Sequence, residues 1–252
     1  MGEDKTTDIF GLAPYGETIK IAVEKTLDGA GAFLGRICLP AAEEYGLLLR
    51  DKVRTWRARN VTAIVTEAEN LHIEHGINDN VHAHPRLVHK IMDEGSWSDE
   101  PDIQKMWAGL LSSSCTASGK DLDNLTFANL LAQLSPAQAR LLNMLCERAT
   151  KVKTSTGLLM CANSVIPHQE LHDVTQIDDQ EILDLEIDRL RDLGLLGALS
   201  GLGVDGPYAQ LRPTPIALKL HLRAKGVRTR AVDYYQAAPY DINIHDNMQH
   251  PI

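Results

Sequence analysis

Between residues 134 and 226 apolar positions recur first at helical and then at alternating spacing, and each change of period marks a new element. Ser135 and Pro136 open a helix, the serine accepting backbone N–H bonds and the proline supplying the preset φ of a first helical residue. Ala139, Leu142, Met144, Leu145 and Ala149 form its apolar face. The run Pro167, His168, Gln169, Glu170, Leu171 predicts a short second helix. Asp178 and Asp179 cap a third, whose Ile182, Leu185, Ile187, Leu190 and Leu193 form an apolar stripe ending at Gly194. Residues 195–199 and 208–211 predict two short strands around a hairpin rich in glycine (Gly201, Gly203, Gly206). Thr214 and Pro215 start a last helix over residues 216–224, closed by Gly226. Helices followed by a hairpin in this order predict a winged helix, that is, a helix-turn-helix with a β-hairpin wing. Such a module binds DNA or another protein.

The region before it reads as helical throughout. From residue 17 to about 37, Ile19, Val23, Leu27, Ala30, Phe33, Leu34 and Ile37 recur opposite Lys20, Glu24 and Asp28. Gly29, Gly31 and Gly35 crowd the second half of that stretch, each costing roughly 1 kcal/mol against alanine, so close helix packing is expected to offset them. Arg36 and Pro40 interrupt the apolar run well short of the roughly 20 residues that a membrane span needs. A long helix is expected over residues 41–73, with Leu49, Val53, Trp56, Ile64, Ala68 and Leu71 on one face. Further helices are expected over 86–93 and 102–114, the latter turning Ile103, Met106, Trp107, Leu110 and Leu111 inward. Residues 112–123 are small and polar and read as a loop, before Thr126 caps a short helix over 127–133.

Charge changes the picture of the third helix of the module. A helix that enters the major groove needs arginine, lysine or uncharged polar groups. This one carries Asp178, Asp179, Glu181, Asp184, Glu186, Asp188 and Asp192 against Arg189 and Arg191, in a chain of net charge -9. The sign favours a protein partner or self-association over DNA. The basic residues stand elsewhere: Arg50, Lys52, Arg54, Arg57 and Arg59 in the long helix, and Arg212, Lys219, Arg223, Lys225, Arg228 and Arg230 late in the chain. These two groups are the candidate interaction or nucleic-acid surface, set against the plainer role of solvated helix faces and of cations complementing a helix C-terminus.

Composition adds bounds. At 252 residues and 44% hydrophobic, with 5% aromatic residues, the chain is expected to form two units with aliphatic cores. Cys38, Cys115, Cys146 and Cys161 form no CxxC pair, which suits reduced, buried thiols in the cytoplasm. The first residues lack the basic and apolar regions of a signal peptide, so export is not expected.

Several stretches resemble one family. Pro40, Glu44, Gly46, Leu49, Asp51, Lys52, Arg54, Trp56, Arg57 and Asn60 resemble the P-x-x-x-E-x-G-x-x-L-x-D-K-x-R-x-W/Y-R-x-x-N stretch of the abortive infection alpha (Abi-alpha) family of bacterial proteins. Pro85, Arg86, Ile91, Glu94 and Ser96, then Met106, Trp107, Ala108, Gly109, Leu110 and Leu111, are similar to its second segment. Leu130, Leu131, Leu134, Ser135, Pro136, Ala139 and Leu142 are similar to the start of its C-terminal unit. The resemblance covers about residues 40–145 and implies an intracellular role in anti-phage defence, without supplying catalytic residues.

Catalytic patterns are sparse. His72, His75, His82, His84 and His89 crowd one segment with Glu69, Glu74 and Asp79, but two imidazoles three apart do not make the HExxH of helical zinc sites. Surface or capping histidines are expected there, and no metal. The chain has neither a GxxxxGK[ST] phosphate loop nor a GxSxG elbow, and Cys115 and Cys146 read as small core residues. The expectation is a mostly α, cytoplasmic, non-enzymatic defence protein without cofactor: a helical domain over 1–133, a winged helix over 134–230 and a tail over 231–252. Two alternatives stay open, a winged-helix DNA-binding regulator and a membrane-acting effector that exposes the glycine-rich N-terminal helix.

Overall fold

The computed structural model of the chain describes residues 52–77, 80–203 and 206–239, together with positions 29, 32, 33, 35 and 36 of a helix nearer the N-terminus. It is mostly helical and divides into two compact units, Met1–Ala132 with Ala224–Gly226, and Gln133–Arg223 with Val227–Ile252.

The first unit holds α1 (Lys52–Glu74), α2 (Pro85–Gly95), α3 (Pro101–Ser114) and α4 (Leu125–Leu131). Proline opens both α2 and α3, where its missing N–H costs nothing. Val61, Ile64, Val65 and Ala68 of α1 are buried, as are Leu87, Val88 and Ile91 of α2 and Ile103, Trp107, Leu110 and Leu111 of α3. Two glycines let the helices close. A Cβ on Gly95 would stand 2.8 Å from Ile64 Cδ1 and 3.1 Å from Trp107 Cγ. One on Gly109 would stand 1.8 Å from the carbonyl oxygen of Ala224, a backbone atom with nowhere to go.

A polar junction fixes the corner between α2 and α3. Ser96 is fully buried, and its carbonyl accepts from Asn60 Nδ2 at 2.9 Å. Its hydroxyl accepts from Arg57 Nε at 2.8 Å and donates to the Asp93 carbonyl at 2.7 Å. Gln104 Nε2 lies 3.3 Å from Asn60 Oδ1 and donates to the Ser98 carbonyl at 3.0 Å. Arg57 also pairs with Asp93 at 2.7 Å and lies 4.2 Å from the Trp97 ring centroid.

Three readings of this region are corrected. Ser112, Ser113 and Ser114 are the buried last turn of α3 and no loop: Ser113 and Ser114 bond back to the Leu110 carbonyl, and Asn124 Nδ2 reaches both hydroxyls at 2.9 and 3.0 Å. Asn124, not Thr126, precedes the short helix, because its side chain is needed inside. Trp56 is half-buried against Trp97, with ring centroids 6.3 Å apart. No described atom lies within 4 Å of a Cβ built on Gly29 or Gly35. Gly31 and residues 41–51, with Arg50 among them, lie outside the described residues.

The second unit runs α5 (Pro136–Arg148), β1 (Lys151–Lys153), β2 (Leu159–Cys161), β3 (Ser164–Pro167), α6 (His168–Thr175), α7 (Gln180–Asp192), β4 (Tyr208–Leu211), α8 (Pro215–Ala224), α9 (Ala231–Tyr234) and β5 (Ala238–Pro239). Ser135 and Gln138 form a reciprocal capping box at the start of α5, with bonds of 3.2 and 3.0 Å. Asp179 caps α7 by accepting from the backbone of Glu181 and Ile182. Antiparallel β3 and β4 pair Ser164 with Leu211 and Pro167 with Tyr208. In a second sheet β1 pairs antiparallel with β2 and parallel with β5.

Here the sequence reading missed four strands, β1, β2, β3 and β5, and overstated one. Residues 195–199 form no strand; the segment after α7 turns at Gly197 and touches the sheet through isolated bridges, Leu196 to Pro213 and Gly201 to Gln210. The partner of β4 is therefore β3. The β1–β2 hairpin turns through Thr154, Ser155, Thr156 and Gly157, the glycine at φ 82°. The expected tail over 231–252 begins with structure, since α9 and β5 occupy its first residues.

These contacts make two stability predictions. Gly109→Ala is expected to cost about 3 kcal/mol or more, because overpacking against backbone has no rotamer escape. Gly35→Ala, where no described atom lies within 4 Å of the added Cβ, is expected to be neutral or stabilising by up to about 1 kcal/mol. Urea unfolding of both variants measures the contrast. Trp107→Ala, removing a side chain 1% exposed, is expected to lose about 3–5 kcal/mol, and Trp56→Ala less than about half of that. Equal losses at the two tryptophans in thermal melts would contradict their placement.

Candidate interaction surface

Helix α7 is where the two faces of the second unit part company. Leu183, Ile187 and Leu190, spaced i, i+4, i+7, are fully buried. Ile182 and Leu185, spaced i, i+3, are 48% and 66% exposed. The expected single stripe of Ile182, Leu185, Ile187, Leu190 and Leu193 thus mixes two ridges about 100° or more apart on the helix. The signal that separates them is Leu183, which completes the inward set and has no place in the outward one. Arg189 continues the outward ridge at i+7 and is exposed.

The charges of α7 surround that ridge. Glu181, Asp184 and Asp192 are exposed. Asp188 pairs with Arg191 at 2.7 Å, and Arg191 Nη1 also donates to the Ser200 carbonyl at 2.9 Å. Glu186 accepts from the Ser135 hydroxyl at 3.1 Å. Glu186 thus braces the helix against the start of α5, and Arg191 braces it against the following turn. The rest face water.

The basic candidates do different things. In the first unit Arg57 is held by the junction described above and Arg59 is exposed, while the side chains of Lys52 and Arg54 lie outside the described residues. In the late group Arg212 is half-buried, its Nε 3.0 Å from where a Cβ on Gly197 would stand. Arg223 donates to the Val227 carbonyl at 3.2 Å, which closes the end of α8. Lys225 is half-buried, and Lys219, Arg228 and Arg230 are exposed, with Arg230 Nε 3.5 Å from Asp233.

Titratable groups elsewhere serve the fold. His84 caps α2, its Nδ1 accepting from the Arg86 N–H at 3.2 Å. His72 is buried, its Nε2 3.4 Å from the Ser112 carbonyl and its ring edge-on to Phe33 at 5.5 Å. His75, His82 and His89 are exposed, and no group of three or more His, Cys, Asp or Glu among the described residues could hold a metal ion. Cys115, Cys146 and Cys161 are free and buried. Burial pushes the Cys161 thiol up to about 11, against the smaller opposing pull of Lys151 and Arg212, so it is protonated at neutral pH.

One pairing had no forerunner in the sequence reading. His221, 2% exposed on α8, has Nδ1 2.9 Å from the Tyr235 hydroxyl, and Lys151 Nζ lies 4.9 Å from the Tyr235 ring centroid. Burial drives the Tyr235 phenol well above its ordinary value, with neighbouring Cys146 next in effect. The phenol is neutral and pins the segment after α8. No described helix is long and apolar enough to cross a membrane.

Against known proteins, the family model described as "Abortive infection alpha" matches residues 57–229. No curated protein and no solved structure matches the chain. The matched span begins at the arginine of the polar junction, includes all of α7, and ends just beyond α8. It takes in well over half of the sequence, and the chain belongs to the abortive infection alpha family.

Proposed function

We propose that this protein works in the cytoplasm in defence against phage, without catalysis, by contacting another protein through its second unit. We read that unit as a winged helix in which α5, α6 and α7 supply the helices and β3–β4 with the 196–201 turn supplies the wing. What supports the reading is the order of elements and the pairing of β3 with β4, the strand that precedes the second helix joined to the strand that follows the third.

One observation carries the choice of protein over DNA. In the DNA-binding use of this fold the third helix meets phosphates, and here the outward face of α7 offers Ile182 and Leu185 among carboxylates. Each phosphate approached by Asp or Glu adds repulsion where binding needs release of counterions. Exposed isoleucine and leucine gain nothing from a phosphate backbone and gain by burial against a protein. The defence setting rests on membership of a family named for abortive infection.

Two measurements test this. Fluorescence anisotropy with duplex DNA at physiological salt is expected to give binding weaker than micromolar and without sequence preference. Replacing Lys219, Arg228 and Arg230 together by alanine is expected to leave protection in a plaque assay unchanged. Nanomolar, sequence-selective DNA binding, lost together with protection in that triple variant, would overturn the protein-contact reading in favour of a DNA-binding regulator.

A further inference from the structure

We infer that the outward ridge of α7 is a docking surface for a positively charged amphipathic helix of another protein, its apolar stripe laid along Ile182 and Leu185. This names the partner class for the contact proposed above and rests on that reading.

Geometry selects a helix as the occupant. Ile182 and Leu185 stand one turn apart on one side of a regular 13-residue helix, 48% and 66% exposed, with the aliphatic stem of Arg189 next along the same line. Anchors at i, i+3 and i+7 are the spacing at which a second helix packs its own ridge alongside.

Charge selects its sign. From Asp178 to Asp192 seven carboxylates stand against two arginines, a surplus of five negative charges. Asp178, Asp179, Glu181 and Asp184 lie at the N-terminal end, whereas both arginines lie in the last turn, and Arg191 is already committed to Asp188 and the Ser200 carbonyl. A partner helix therefore places its cations over the first two turns of α7 and its apolar residues on Leu185. A second copy of this chain docked through the same ridge would set one acidic surplus against another, so self-pairing is opposed by the charge that attracts a basic helix.

The probe is a synthetic amphipathic helix of leucine and lysine, titrated into the full chain by isothermal calorimetry. A peptide with serine in place of leucine and one with glutamate in place of lysine serve as controls. The leucine–lysine peptide is expected to bind saturably and more weakly as salt rises. The Ile182→Ser/Leu185→Ser variant, altered at exposed positions and checked for an unchanged melting temperature, is expected to weaken it roughly tenfold or more. Glu181→Gln/Asp184→Asn is expected to weaken it too and to flatten the salt dependence, which gives a second reading should the apolar variant lose stability.

Equal binding by the wild type and the serine variant overturns the proposal, as does equal binding of the serine–lysine peptide, which would mark plain charge attraction. So does a wild-type dimer that Leu185→Ser dissociates in light scattering, which would make the occupant a second copy. A plaque assay separates this proposal from the broader reading. If the serine variant loses protection while wild type ignores the leucine–lysine peptide, the basic helix falls and the protein contact stands. If the peptide binds as expected and protection is indifferent to both residues, the docking surface stands and the defence reading through it falls.

Discussion

Everything in the first unit hangs on how α2 ends. Gly95 lets the Ile64 and Trp107 side chains close over the backbone, and Ser96 then spends every polar atom it has on its neighbours. A buried serine and a nearly buried asparagine are costly to strip of partners, on the order of 1–3 kcal/mol for each group left unmade. Arg57, Asn60 and Gln104 meet that demand from two other helices, which sets the rotation of α1 and the entry of α3 at one point. A hydrophobic face alone would let α1 slide by a turn; a network with directional bonds does not. Trp56, Arg57, Asn60, Ser96 and Trp107 are also residues by which the chain resembles its family. Their work in this structure is to hold helices in register, so family membership read from them speaks for the architecture and is silent on any reaction.

The second unit is organised by the opposite sort of constraint, one of sign. Its apolar core runs along Leu142, Leu145, Leu183, Ile187, Leu190 and Leu218 and needs no charge. The carboxylates of α7 are surplus to that core. Two of them have local tasks: Glu186 accepts from the Ser135 hydroxyl, and Asp188 holds Arg191, which reaches the Ser200 carbonyl. A helix braced in this way loses little freedom when a partner settles on it, which favours binding. The neutral Tyr235 on buried His221 does the same for the chain after α8, holding β5 beside β1.

Much of this was legible in the sequence, for reasons that can be named. Caps and prolines act within four residues, so the caps Ser135 and Asp179 and the start at Pro136 could be read directly, and the helix starts at Pro85, Pro101 and Pro215 to within one residue. Whatever depended on distant partners could not. The serines ending α3 looked like the start of a loop because the donor that Ser113 and Ser114 accept from, Asn124 Nδ2, comes ten or more residues later. Residues 195–199 looked like a strand because their composition is apolar, yet β4 pairs with β3, some forty residues earlier in the chain. The β1–β2 hairpin carried a weak local signal in Thr154 to Gly157, and three-residue strands leave little alternation to detect.

The hardest distinction, and the one on which the proposed function turns, was between two apolar ridges on one helix. Periodicity shows that α7 has apolar residues on more than half of its circumference; it does not say which of them the protein keeps for itself. Burial resolves it: Leu183, Ile187 and Leu190 are spent on the fold, and Ile182 and Leu185 are not. Exposed aliphatic residues on a soluble helix invite nonspecific association, and the surrounding acids suppress it between like copies through repulsion. The same acids do not repel a basic surface. A helix that keeps apolar anchors in water, and protects them from its own kind by charge, is selective before any partner arrives, because what excludes self-pairing is also what attracts the opposite sign.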